Sequence, residues 1–229
     1  MPFRLFANIL FILIMISSLL VATAEAGIKE REKIEQSIRT LEEIMANPEE
    51  GLPPSLLGKA EAIAIIPNVI KAGVIIAGRF GRGVMLVRDE NGKWGHPIFM
   101  TIGGGSLGFQ VGAESTDVIV VFKDKRATEK IFRGKMILGA DATVAAGPVG
   151  SRAEAMGDEK FRARILTYHR NRGLFAGVSL EGSVLSVDDE WNHDYYEKPL
   201  SARELVAGQG SVPADGVQLQ EKLNAYNSQ

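Results

Sequence analysis

No cysteine occurs among the 229 residues. That excludes a disulfide framework, a thiolate nucleophile and any Cys-based metal site. Charge of one sign is also missing, since 26 Lys and Arg against 28 Asp and Glu give a formal net charge of −2. Domains that bind nucleic acid carry a basic surplus, so nucleic acid is not expected as a partner. Histidine is scarce, with only His96, His169 and His193. What is present suits a packed domain: 45% hydrophobic and 24% charged residues. The 25 glycines exceed the usual share for this length and need a reason.

Residues 1–26 read as a targeting segment. "MPFR" is basic, "LFANILFILIMISSLLVA" is apolar apart from Asn8, Ser17 and Ser18, and "AEA" (Ala24 to Ala26) is a small-x-small cleavage site. The mature chain is expected to start near Gly27, periplasmic or secreted. Retention of the run as an anchor is the other reading, because it is nearly long enough to span a bilayer.

Residues 27–50 read as an amphipathic helix. Ile34, Ile38, Leu41, Ile44 and Met45 fall at helical spacing, and the charges on the other faces nearly cancel. A short helix follows within "GLPPSLLGKAEA", with Ser55 as a candidate cap. From Ala62 the chain is rich in Ile, Val and Gly, in short runs expected to form strands, with "RDENGKW" as a turn. "KRATEKIFRG" reads as a short helix ending at Gly134. Residues 199–229 read as a polar tail with short helices. The expected fold is α+β: a curved, mostly antiparallel, glycine-rich sheet with a few short helices, one domain over about 51–198.

The stretch "TIGGGSLGFQVG" (Thr101 to Gly112) matches two enzyme signatures. Gly103, Gly105 and Gly108 spell the dinucleotide fingerprint, while Gly104, Ser106 and Gly108 spell the nucleophile elbow. Both need a helix opening directly after the glycines, whose amides hold the phosphate or the oxyanion. Here Leu107, Phe109, Val111 and Ala113 alternate with Gly108, Gln110, Gly112 and Glu114, a period of two that belongs to a strand. The glycines are therefore expected in strands and bends, with no catalytic residue and no cofactor. A small hydrolase using Ser106 is the weakest of the readings kept.

Four segments together resemble the SYLF family of lipid-binding domains: "KAEAIAIIPNVIKAGVIIAGRFGRGVMLVR", "TIGGGSLGFQVGAESTDVIVVF", "GKMILGADATVAAGPVG" and "RGLFAGVSLEGSVLSVDDE". The resemblance runs from about Gly51 to Tyr196. It implies a non-enzymatic module that binds membrane lipid, with phosphatidylinositol derivatives as ligands of the eukaryotic members and actin as a partner of fungal ones. In eukaryotic members an N-terminal amphipathic helix meets the bilayer with basic residues. The corresponding helix of this chain is charge-balanced.

Two basic clusters are the candidate lipid-binding residues: Lys123, Lys125, Arg126, Lys130 and Arg133 in "KDKRATEKIFRGK", and Lys160, Arg162, Arg164, Arg170 and Arg172 in the acid-free "KFRARILTYHRNR". Clustered cations bind anionic lipid surfaces, and Arg forks onto phosphate oxygens. Phe161, Tyr168 and Phe175 lie nearby as candidate headgroup-level anchors. Arg170 and Arg172 are expected to be exposed, so that reversing both to Glu spares the fold. The same cations also suit a solvated face or ion pairs with the acidic segment "EGSVLSVDDEWNHDYYE". Within it, "DDEWNHD" reads as an acidic loop, and no metal is expected there. The expected function is a lipid- or membrane-associating module of the cell envelope, contacting anionic (phospho)lipid headgroups. A protein-interaction module of the envelope is the alternative.

Overall fold

The computed structural model describes residues 27–46, 51–73, 76–107, 112–148, 163–171, 174–177 and 180–226. Among the described residues, nine strands form one sheet: β1 (Ala62–Gly73), β2 (Ile76–Val87), β3 (Ile98–Leu107), β4 (Gly112–Phe122), β5 (Lys135–Ile137), β6 (Val144–Ala146), β7 (Ile165–Asn171), β8 (Leu174–Gly177) and β9 (Val184–Val187). Their order is β5-β9-β3-β2-β1-β4-β7-β6, with β8 added on β7. Every pairing is antiparallel except the parallel β6–β7 pair. The two ends of this order, β5 and β6, are joined by residues 138–143 and by a bridge between Leu138 and Ala142. The sheet therefore curls on itself, and this is the curved α+β architecture that the glycine-rich alternating runs predict.

Curling gives the sheet two apolar faces. Along β1, Ile63 and Ile65 enter the outer core, while Ala62, Ala64 and Ile66 enter the inner one. That is the period-two alternation of a strand, here apolar on both sides because both sides are covered. The inner core gathers Met100, Ile102, Phe122, Met136 and Leu185. Helix α3 (Lys125–Phe132) adds Ala127 and Ile131 to it.

The outer core lies beneath the remaining helices. These are α1 (Ile28–Met45), α2 (Pro54–Gly58), α4 (Asp189–Tyr196), α5 (Ala202–Val206) and α6 (Ala214–Tyr226). Ile34, Ile38, Leu41, Ile44 and Met45, the predicted apolar stripe of α1, are all buried against it. Leu205, Leu219 and Leu223 are fully buried there too. Each such leucine contributes roughly 1.5–3 kcal/mol, so the C-terminal segment is part of the core and more than a polar tail.

Three local expectations change. Ser55 is not a cap; Pro53 takes the N-cap position of α2 and offers no side-chain bond. The string "DDEWNHD" is helical, not a loop. Asp188 caps α4 by accepting from the Trp191 backbone N–H at 3.3 Å, and Trp191 and Tyr195, one helical turn apart, both ring-pack on Phe99. Buried Asn192 fixes the helix to β3, accepting from Phe99 N at 2.8 Å and donating to Phe99 O at 3.3 Å. Finally, β1 carries a bulge that its pattern did not announce. Asn68 sits at φ 55°, and the register with β2 and β4 slips there by one residue. Gly83 accommodates it, since a Cβ on Gly83 would lie 2.1 Å from the Ile65 carbonyl oxygen.

Candidate functional site

Helix α3 closes one end of the curled sheet. Asp124 caps it, its side chain accepting from Arg126 N at 2.8 Å. With Ala127, Thr128 and Ile131 buried, the 3-4 spacing leaves Lys125, Arg126, Glu129, Lys130 and Arg133 exposed as one face. Exposed Lys135, at the start of β5, extends it. The first predicted basic cluster is thus a real surface, with five cations against a single carboxylate on the face itself.

Its charges are partly engaged. Lys125 lies 3.7 Å from Glu61, and Arg133 lies 3.9 Å from Glu129. Lys130 pairs with Asp141, whose carboxyl is held below the usual range by the Ile137 N–H and then by Lys130 itself. Exposed pairs of this kind hold their partners weakly, at roughly 0–1 kcal/mol, so the cations stay available to a stronger anionic field. Half-buried Lys123 stands at the edge, its N–H donating to Arg164 O at 2.9 Å.

The second cluster does not form one patch among the described residues. Lys160, Arg162 and Arg172 lie outside them, as does Phe161. Arg164 joins the α3 end, where it pairs with Asp124 at 2.5 Å. Arg170 sits at the far end of β7, and its side chain is only 24% exposed. It pairs with Asp117 of β4 and with Glu43 of α1. The expected free surface position of Arg170 is therefore corrected: a guanidinium that joins two strands and a helix is a structural tie. Tyr168 is fully buried as well, with its hydroxyl donating to Pro148 O at 3.2 Å. It cannot anchor in a headgroup layer.

A polar belt runs beneath α1 at this level of the sheet, and composition did not reveal it. Arg82 bonds Asp188 at 2.8 Å and stacks on Trp191 at 4.7 Å. Asn68 N donates to Asp117 Oδ1 at 3.0 Å. Lys33 projects into the same region, and burial lowers its pKa. Reading these contacts from sequence would have required the register of β2, β4 and β7.

Among its described residues, the glycine stretch is strand. Residues Thr101 to Leu107 belong to β3, and the next element is β4. Directly after Gly103 and Gly105, where both signatures call for a helix, the described residues continue as strand to Leu107. The side chain of Ser106 lies outside the described residues. Among the described residues, no three His, Asp or Glu gather as a metal site. Asp188 spends its two oxygens on the α4 cap and on Arg82. His96 stacks on Tyr196, and burial lowers its pKa.

Residues 103–226, beginning inside the glycine stretch, match the family described as "Ysc84: Las17-binding protein actin regulator". The chain belongs to the Ysc84 family, whose domain is the SYLF domain. It is 35% identical over 200 residues to the SH3 domain-containing YSC84-like protein 1 of Homo sapiens, covering 86% of this chain and 58% of the relative. It is 34% identical over 165 residues to Protein YSC84 of Saccharomyces cerevisiae, covering 71% of this chain and 35% of the relative. The chain thus spans between about a third and three fifths of these curated relatives. The Ysc84 family is of a binding and regulatory type. Its match extends through α5 and α6, so the C-terminal helices belong to the SYLF domain as well as to its core.

Proposed function

We propose that this SYLF domain is a non-enzymatic module that binds anionic membrane surfaces through the α3 end of the sheet. The observation that carries the reading is the exposed face formed by Lys125, Arg126, Lys130, Arg133 and Lys135, opposed on that face by Glu129 alone. Each cation near an anionic leaflet is worth about 1 kcal/mol, and the partners of Lys125, Lys130 and Arg133, namely Glu61, Asp141 and Glu129, reduce that sum. The apolar stripe of α1 is buried in the core, so that stripe is not what meets the membrane. The leader-like residues 1–26 suit a protein of the cell envelope, where anionic phospholipids would be the ligands.

Co-sedimentation of the protein with phosphatidylglycerol vesicles tests this. Binding should weaken as salt rises, because the Debye length falls from ~10 Å at 0.1 M to ~3 Å at 1 M. Arg126→Glu with Arg133→Glu should abolish it while the fold persists. Undiminished binding by this variant would refute the reading.

A second reading is favoured by the family description and by a groove of about 790 Å³ beside α3. Lys125, Arg133 and Arg203 face Asp89, Glu90 and Glu129 there. Mixed charge suits a peptide segment of a protein partner. Capture of such a partner without any vesicle binding would select it.

A further inference from the structure

The first turn of α1 carries a charge on the face that is otherwise apolar. Gly27, Glu30 and Ile34 follow the 3-4 spacing on the buried side of the helix, and Glu30 is only 4% exposed. Among the described residues no cation pairs with it. The neighbouring cations of α1 are turned elsewhere: Lys33 donates to Gln36 at 2.8 Å, and Lys29 and Arg31 stand exposed. A carboxylate buried without a counter-charge is costly, so this position asks what cation it meets.

Gly27 is the N-cap of α1, at φ 87°. Glu30 therefore occupies N3, from which a carboxylate reaches back to the nitrogen of the N-cap residue. The same spacing is filled in α5, where Ser201 N donates to Glu204 Oε2 at 2.8 Å. Gly27 is also seated on the end of α4. A Cβ there would lie 3.6 Å from the Asp194 carbonyl oxygen. That oxygen is one of the last four carbonyls of α4, which have no partner within the helix and form the negative end of its dipole. The positive end of the α1 dipole opposes a cation at Gly27; Glu30 and the end of α4 offset it.

The sequence supplies a cation at this nitrogen. Cleavage after "AEA" hydrolyses the Ala26–Gly27 peptide bond. It leaves a carboxylate on Ala26 and an amine on Gly27, which is protonated at neutral pH because the ordinary α-amino pKa is about 7.7–8.0. We infer that removal of the leader creates a buried ion pair, in which the α-ammonium of Gly27 is held by the Glu30 carboxylate and the C-terminal carbonyls of α4, so that processing fastens the start of α1 to α4. The inference rests on the leader reading and is independent of which surface meets lipid.

A partner carboxylate raises the folded pKa of the ammonium above its unfolded value. The stabilisation is therefore complete below about pH 7.7 and is lost as pH rises through the higher folded value. The other titratable groups of this corner are Arg31, His193, Asp194, Tyr195, Tyr196 and Asp215. The Tyr195 hydroxyl bonds Asp215 at 3.2 Å, and burial raises both tyrosines well above their ordinary range, so neither ionises in that window.

The experiment compares the isolated protein in two forms, one beginning at Gly27 and one retaining Ala24, Glu25 and Ala26 ahead of it. Both forms carry every other titratable group of the corner. In thermal melts at about pH 7 the Gly27 form should melt several degrees higher. The advantage should fade between about pH 8 and pH 10 and be absent in Glu30→Gln. Equal melting of the two wild-type forms would overturn the inference and leave the leader reading standing; these two forms decide it even where Glu30→Gln does not fold. An advantage that survives unchanged at high pH, or in Glu30→Gln, would overturn it equally. N-terminal sequencing of the exported protein should begin at Gly27, and any other start would remove cleavage at this bond and the inference with it.

Discussion

Gly147→Ala should be among the most damaging small substitutions in the protein. A Cβ at Gly147 would lie 2.1 Å from Cζ of Tyr168 and 2.5 Å from its Cε2 and hydroxyl. Ordinary contact begins near 3.4 Å, so the ring must recede by about 1.3 Å. It has nowhere to go: Tyr168 is fully buried among the outer-core side chains, and its hydroxyl is committed to Pro148 O. Overpacking of this kind costs about 1–3 kcal/mol, and losing the hydroxyl bond adds about 1 kcal/mol. At roughly 2–4 °C per kcal/mol for a chain of this size, the melting temperature should fall by about 4–16 °C. Gly78→Ala is the internal control, because its Cβ enters open space and the gain in unfolded-state restriction is about 0.4–1 kcal/mol. Thermal melts of both variants decide the matter. If Gly147→Ala melts with the wild type, close approach is not why that glycine is there.

Gly104→Ala should fall between these two, since its Cβ would meet Ser183 Cα at 3.2 Å; a melting temperature as low as that of Gly147→Ala would contradict the contact geometry. Arg170→Met should destabilise by about 1–3 kcal/mol, discounted for the partial exposure of the pair. It strands Asp117, which is 8% exposed; denaturant titration showing no change would remove the structural role. Asp141 has a depressed folded pKa, so its contribution is present above the ordinary carboxylate value near ~3.9 and is lost as pH falls through the lower folded value. Asp141→Asn should therefore flatten the acid limb of the stability profile below about pH 4, as read by melts across acidic pH. Ser106→Ala should leave the fold and vesicle binding unchanged, and covalent labelling of Ser106 by a fluorophosphonate would restore the hydrolase reading.

Much of this was legible without coordinates. The α1 stripe, the α3 helix and its basic face, and the strand character of the glycine stretch follow from local periodicity. Period two and period 3.6 are properties of a few adjacent residues, and hydrophobic burial enforces them wherever the chain ends up. The acidic string showed the limit of that approach. Its composition suggested a loop, but Trp191 and Tyr195 stacking on Phe99, with Asn192 clamping the β3 backbone, made it a helix.

What a charge does was decided only by tertiary structure. Arg126 and Arg170 are the same residue type in equally basic stretches of sequence. One stands exposed on α3, and the other is tied between Asp117 and Glu43. The glycines divide in the same way: at Gly83 and Gly147 another atom occupies the place of a Cβ, whereas at Gly78 a Cβ would enter open space. Sequence specifies side-chain chemistry and its local period. Whether a cation meets a carboxylate or solvent depends on strand register and sheet curvature, which bring together residues as far apart as Glu43, Asp117 and Arg170 along the chain.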